Sequence, residues 1–436
     1  MVASIPRRRP LPAALLVALA VSVPPARALA GGVLLYEVGT AEVGLASAGW
    51  GARAQDASTV LTNPAGMSRL SGASLAVGGQ LLYGDVAFTP GPGTSQALGT
   101  NGGGNAVGWL PGGGLFLSYA INPSVSVGFA AAGTFGSALA YDADWVGRYY
   151  GREATLIGFS LLPAVSARID EHFTVGASLN VMAGVLAQKV ALNGVVGPDG
   201  ELSIHDQAWG VGVDVGALWE PTARTRVGLV YTSQVSLDFA DTPGFTGISP
   251  ALRALLDARG LTTGTLDVGI RVPQGVMLSA YHEIDSTWAV LASAGWQQWS
   301  RFGLVELGIS DVTAPASATK DLSFRDTWHV ALGGQLRPAP GWRVDAGLAY
   351  DSAFQDPSNV SPILPTNAAW RLGAGVHRQA SDRFGWGASA EYAYGGTLGV
   401  DRQGNLPVAL GGRGDLQGSF ENGAILFLAA TLDWSW

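Results

Sequence analysis

The sequence predicts an all-β fold, a transmembrane antiparallel β-barrel of about fourteen strands. Three observations lead there. Charged residues make up only 13% of the chain and mean hydropathy is positive, whereas a soluble domain carries about a quarter charged residues. Short segments alternate apolar with small or polar residues at period two, the pattern of a strand with one face in lipid. Turn signals alternate between tight and long, as in a barrel with hairpins on one side of a membrane and loops on the other.

Taken in order, residues 1–30 are expected to be a cleaved secretory signal. Arg7, Arg8 and Arg9 form a basic start, and the apolar run from Leu11 to Val23 is too short and Pro-interrupted to cross a bilayer. Ala28-Leu29-Ala30 supplies a small-residue cleavage site, with Ala26-Arg27-Ala28 the alternative, and a retained anchor is the competing reading. Beyond it no apolar run reaches about 18 residues, so no helix spans a membrane. There is no cysteine, so a closed sheet rather than disulfides must hold an exported chain together.

Residues 31–72 do not alternate cleanly. At the centre of the run from Gly51 to Leu70 stands Asn63-Pro64-Ala65-Gly66-Met67. Pro64 has a fixed φ, Asn63 before it is pushed to an extended conformation, and Gly66 is free to turn. Taken alone, this is a tight turn ahead of the first strand.

Residues 73–436 carry the alternation. Tight turns stand at Asn122-Pro123-Ser124, Asp170-Glu171-His172, Pro221 to Thr225, Glu283-Ile284-Asp285-Ser286, Arg337 to Gly341 and Ser381-Asp382-Arg383. Longer connections rich in Gly, Pro and Thr lie near 85–113, 137–151, 190–206, 239–263, 301–321, 355–367 and 399–419. Six hairpins and seven loops join fourteen strands. An even number closes the sheet without an edge and leaves both ends on the hairpin side. Phe173, Val175, Ala177, Leu179, Val181, Ala183, Val185 and Ala187 mark one face of a strand; Thr174, Gly176, Ser178 and Asn180 mark the other. Ala424, Leu426, Leu428, Ala430, Leu432, Trp434 and Trp436 repeat the pattern, and Trp436 suits the aromatic C-terminus by which outer-membrane assembly machinery recognises barrels. A soluble β-sandwich is the alternative, but it would not confine its long loops to alternate connections.

Within the 239–263 connection, Pro250 to Gly260 reads as a short amphipathic helix, with Pro at its start and Gly at its end. It either caps the barrel mouth or offers Leu252, Leu255 and Leu256 as an apolar landing surface.

Several separated segments then stand in a telling order. They are Gln55-Asp56-Ala57-Ser58 leading to Asn63-Pro64-Ala65-Gly66-Met67, and Tyr141 to Tyr149 reading YDADWVGRY. Next come Val272-Pro273 leading through Tyr281 and Trp288 to Trp296-Gln297-Gln298-Trp299-Ser300, then Phe324 to Trp328, and Ala346 to Asp351. Together they cover most of the mature chain and resemble the long-chain fatty acid and hydrophobic-compound transporter family of Gram-negative outer membranes. The resemblance implies a monomeric multi-pass barrel in outer-membrane lipid and lipopolysaccharide, with residues 31–72 as a hatch inside the lumen. It makes Asp56, Asn63, Pro64, Ala65 and Gly66 the gate. A hydrophobic small molecule would be caught by the loops, held in the lumen and released sideways through a kink in the third strand. That strand is expected from Val125 to Phe135, with Gly128, Gly133 and Gly136 as the kink. Each of these glycines also has a plainer use, in easing barrel curvature.

A fatty acid needs an apolar tunnel and a cation or donor for its carboxylate. Parity counted through Leu322, Phe324, Trp328, Val330 and Leu332 as lipid-facing points Arg325 and His329 into the lumen. Arg371, His377, Arg343, Asp345, Asp214 and Glu391 point inward by the same count. Arg325 matches a basic position in the family's segment and is the first candidate for the carboxylate. Lys189 is the second, although its parity is outward, and Arg148 either serves the ligand or braces loops. Internal ion pairs filling a polar lumen are the alternative for every one of these charges.

Long-chain fatty acids are the expected ligand, with aromatic or aliphatic hydrocarbons as the alternative within the same fold. The first long loop, Thr89 to Gly114, is shorter and richer in glycine than in the fatty acid members, which bears on that choice. An enzyme is not expected: the five histidines sit in no nucleophile motif, and no His/Asp/Glu cluster has metal-ligand spacing. Gly102-Gly103-Gly104 and Gly112-Gly113-Gly114 lack the Lys and helix of a phosphate loop, and no cofactor is expected. A barrel lipase or protease and a general porin are the remoter readings; an open water channel has no use for a hatch. The net charge of −8 argues against nucleic acid as a partner.

Overall fold

The structure, a computed structural model, describes residues 34–195, 197–258, 260–303, 324–355, 360–404 and 406–436. The expected signal, Leu322 and most of the 301–321 connection lie outside these residues. No helix among them is long and apolar enough to cross a membrane.

Fourteen antiparallel strands close a barrel. They are β1 Ala73–Asp85, β2 Gly108–Asn122, β3 Val125–Ala140, β4 Glu153–Arg168, β5 Phe173–Leu192, β6 Gly200–Thr222 and β7 Thr225–Thr232. Then follow β8 Gly275–Glu283, β9 Trp288–Gln297, β10 Thr327–Leu336, β11 Trp342–Asp351, β12 Ala369–Ser381, β13 Phe384–Arg402 and β14 Leu416–Ser435. Each strand pairs with the next, and β14 returns to β1, where Ala73 and Trp436 exchange backbone hydrogen bonds of 2.9 and 3.0 Å. The tight turns read from the sequence are the six hairpins.

Alternation sets the faces. On β5, Leu179 is 43% exposed toward lipid while its neighbour Ser178, at 4%, faces the lumen. Aromatic pairs mark both edges of the lipid band: Tyr83–Trp109 and Tyr350–Trp370 on the loop side, Trp342–Trp386 and Phe384–Trp434 on the hairpin side. Trp342 and Tyr350 lie on β11, about 27 Å apart along the strand at ~3.4 Å per residue. Tilted by about 40°, that is ~21 Å of height, near the ~25 Å apolar band of such barrels.

The strands climb further than the sequence suggests. β6 has 23 residues and β5 has 20, where about 9–11 span a bilayer. β2 begins at Gly108, so Gly112-Gly113-Gly114 belong to a strand rather than a loop. β3 continues to Ala140 instead of stopping near Phe135. Gly, Ala and Ser carry little alternation signal, but their backbones complete the ladder equally well.

Residues before β1 fill the lumen with two single-turn helices, α1 Glu42–Leu45 and α2 Thr59–Thr62, and a 3₁₀ turn Pro64–Arg69. The barrel wall receives them on glycine. A Cβ on Gly373 of β12 would stand 2.8 Å from Ala46 N, and one on Gly347 of β11 would overlap the Leu45 backbone. At the loop end, a ribbon of Val235–Asp241 paired with Leu266–Val272 folds inward and carries α3 Pro250–Ala258 between its arms. Its inner face, Val235, Leu237, Phe239, Val268, Ile270 and Val272, is buried against Met182 and Leu186 of β5. Burial is worth about 1.5–3 kcal/mol for each large apolar side chain.

Candidate functional site

The N-terminal segment divides the lumen. Asn63 accepts a hydrogen bond from Ala65 N–H at 3.0 Å, capping the 3₁₀ turn, and its amide donates to Gly51 O at 2.7 Å and to Ala217 O of β6 at 3.1 Å. Asn63 is extended and Pro64 starts the turn, as the sequence requires. Arg53 is buried between Glu42 and Asp56, each 2.8 Å away. Burial pushes the Asp56 carboxyl up, but the Arg53 guanidinium and Ser58 outweigh it and hold the group below the ordinary carboxylate range. The wall grips this segment through side chains: Ser293 accepts from Gly49 N–H at 3.0 Å, Ser279 from Gly51 N–H at 3.0 Å, and Arg226 donates to Ala52 O at 2.9 Å.

Below the segment, on the hairpin side, opens a polar vestibule of about 620 Å³ bounded by Gln55, Asp56, Arg337, Arg343, His377 and Asp433. Above it lies an apolar cavity of about 120 Å³. Leu34, Tyr36, Trp50 and Leu61 come from the segment, and Met182, Val230, Met277 and Trp296 from the wall. A second apolar cavity of about 110 Å³ lies between Leu35, β3, β13 and β14, with Arg371 on its wall. Roofing the mouth is an aromatic cluster in which Trp299 stacks on Phe354 at 4.6 Å, with Phe302 and Phe324 beside them and Phe135 of β3 against Phe302.

The β3–β4 ladder slips by one residue between Gly133 and Phe135, so Thr134 is bulged. Both Thr134 and Phe135 then point inward, and lumen parity passes from even to odd residues. Of the glycines named for a kink, Gly133 adjoins the bulge with open space beside it, Gly136 follows it, and Gly128 instead seats Met67 and Val60 of the plug. A second interior irregularity lies between β13 and β14 around Gly396.

The named ligand residues fall elsewhere. Arg325 is not among the lining residues of either apolar cavity: it is exposed, ahead of the first paired residue of β10, and its N–H donates to Phe354 O at 2.7 Å. Phe324, counted toward lipid, is buried in the aromatic cluster. Parity carried past the last residue paired in register has no regular pleat to follow. Lys189 is on the outer wall, paired with Glu153 at 2.8 Å. Arg148 binds Asp199 at 2.8 Å and the Leu98 carbonyl at 3.1 Å, a brace between loops. Burial, then the Asp199 carboxylate, pushes the neighbouring Tyr149 hydroxyl up to about 12. His329 does face the lumen, with Nδ1 2.7 Å from Asp351 and its ring 4.7 Å from Tyr36, in a cluster that joins Glu37 of the plug to Arg371 and Glu391. Leu252 is half-buried and Leu256 buried, whereas the Leu255 side chain lies outside the described residues. None of the described ones lines the upper cavity. Two polar residues that do, Asn180 and Asp214, are visible in the sequence through strand parity; Tyr36 and Trp50 carry no such signal.

The family described as "Outer membrane protein transport protein (OMPP1/FadL/TodX)" matches residues 21–431. The 47 kDa outer membrane protein of Pasteurella multocida is 30% identical over 383 residues, 81% of this chain and 85% of its own. A long-chain fatty acid transport protein of Escherichia coli is 26% identical over 409 residues, 87% and 90% of the two chains. The fold is shared with a Pseudomonas aeruginosa FadL homologue at TM-score 0.78 and 21% identity, covering 93% of this chain and 99% of that one. It is also shared with the toluene transporter TodX of P. putida at TM-score 0.62 and 15% identity, covering 87% and 94%.

Proposed function

The chain belongs to the OMPP1/FadL/TodX family, outer-membrane transporters of hydrophobic compounds, and on that premise we propose that its cargo is an uncharged hydrophobic molecule that leaves sideways through the barrel wall. In this reading the aromatic mouth catches the ligand, the upper cavity holds it, and the segment ahead of β1, the hatch, moves to release it. The observation that carries the proposal is the division of the lumen, with an apolar cavity above the hatch and a polar vestibule beneath it. An apolar ligand gains nothing by descending into polar space. The bulge at Thr134 lines the cavity and interrupts the wall beside it, which makes β3 the favoured exit.

Charge and size favour an uncharged, compact cargo over a long-chain fatty acid. Among the described residues no Lys, Arg or His lines the cavity, and Arg325 is exposed and not part of its lining. Its volume of about 120 Å³ compares with the ~150 Å³ apolar cavity that accommodates benzene. The fatty acid reading keeps one support, Arg371 on the second cavity, but Glu37, Glu391 and Asp351 already surround that guanidinium. Mass spectrometry of ligand extracted from the barrel purified in mild detergent tests the choice. Neutral compounds, unchanged in Arg325→Ala, are expected; long-chain fatty acids lost in Arg325→Ala would reverse it.

A further inference from the structure

The upper cavity is mostly apolar, and its one charged lining residue among those described stands where β5, β6 and β7 meet. There β5, β6 and β7 set Ser178, Asp214 and Thr232 in one cross-strand row, and Asn180 stands one inward position further along β5. Asp214, Thr232 and Asn180 all line the cavity. Asp214 is only 4% exposed, and its Oδ2 accepts from the Ser178 hydroxyl at 3.0 Å. Its Oδ1 is buried without a hydrogen-bond partner, and so is Oδ1 of Asn180. A buried acceptor left unsatisfied is costly, and a buried carboxylate oxygen more so. The two residues that carry them line one cavity, and no other described residue of its lining is a cation.

We propose that Asp214 and Asn180 form an acceptor site that selects hydrophobic molecules bearing a hydroxyl or amine donor, such as phenols, and rejects carboxylates. This rests on the reading of the upper cavity as the place where cargo is held. A ligand O–H would donate to Asp214 Oδ1 in a dry site, where a charge-assisted hydrogen bond is roughly twice as strong as a neutral one. A ligand carboxylate would meet a like charge with nothing to offset it.

Calorimetry on the detergent-purified barrel, with toluene, p-cresol and p-toluate as probes, tests this. The three share a ring and methyl group and differ only in the group opposite it. The expected result is p-cresol at least tenfold tighter than toluene, with p-toluate weakest. Asp214→Leu should bring p-cresol within threefold of toluene, and Asn180→Ala should narrow the gap in part. Equal binding of p-cresol and toluene by the native barrel, or a preference that survives Asp214→Leu, overturns the acceptor site while leaving the hydrophobic cavity standing. No binding of either compound overturns both readings. If Asp214→Leu fails to run as a folded barrel on an unheated gel, the isosteric Asp214→Asn replaces it. That variant must lower the preference at least threefold, and an unchanged ratio sinks the proposal.

Discussion

Leu34 of the hatch forms an antiparallel bridge with Phe135 of β3, and the Leu35 N–H donates to the Thr134 carbonyl at 3.0 Å. The hatch therefore docks by backbone hydrogen bonds on the one place where the β3–β4 ladder slips. A hatch that withdraws must release the bulge, so the two steps proposed for transport share the same bonds.

Deleting Thr134 should regularise the ladder and keep Phe135 inward, because the residues on either side then alternate. The barrel should still assemble, as judged by gel mobility before and after heating, while uptake of labelled cargo falls at least tenfold. Native uptake would move the exit elsewhere, first to the irregularity of β13 and β14 around Gly396.

Asn63→Ala removes a cap and two donated bonds, one of which holds Gly51 beside the cavity residue Trp50. A lost cap alone costs about 0.5–2 kcal/mol. Uptake should fall severalfold with assembly unchanged, and Pro64→Ala should act in the same direction. Normal uptake by both would remove the gating role from this turn.

Arg53→Met leaves the buried Glu42 and the half-buried Asp56 without their cation, a loss of about 3–5 kcal/mol. The hatch should loosen and the barrel, nearly silent in a planar bilayer when plugged, should conduct ions. In the native protein the Asp56 carboxyl is held low, so its contribution is complete above the unfolded value near pH ~4 and is lost as pH falls through the lower folded value. Conductance should stay flat from about pH 8 to pH 5 and rise only in stronger acid. A rise between pH 7 and pH 5 would assign hatch docking to other groups.

Arg325→Ala should leave cargo affinity within twofold of native, since the residue lines neither apolar cavity. Equilibrium binding to the purified barrel checks this, and a tenfold loss would restore Arg325 as a ligand residue.

The strand count, the hairpins and the lipid-facing residues were legible in the sequence because each rests on neighbours two residues apart. Leu179 and Ser178 separate onto opposite faces by pleat geometry alone. The same rule marked Asp214 and His329 as inward. It failed at Phe324, counted toward lipid but buried in the aromatic cluster ahead of the paired part of β10, and it could not anticipate Thr134, whose bulge reverses parity along β3.

By itself, then, the sequence determined a closed fourteen-stranded barrel with Asn63 and Pro64 shaping a turn ahead of it. Only the tertiary structure decided what the lumen contains. Trp50, Tyr36, Asn180, Asp214 and Met277 meet around one cavity although they come from the hatch and three separate strands. Their meeting depends on where the hatch rests against Gly347 and Gly373 and on which wall residues lie opposite it. Those are long-range packing relations, and a two-residue period carries no record of them.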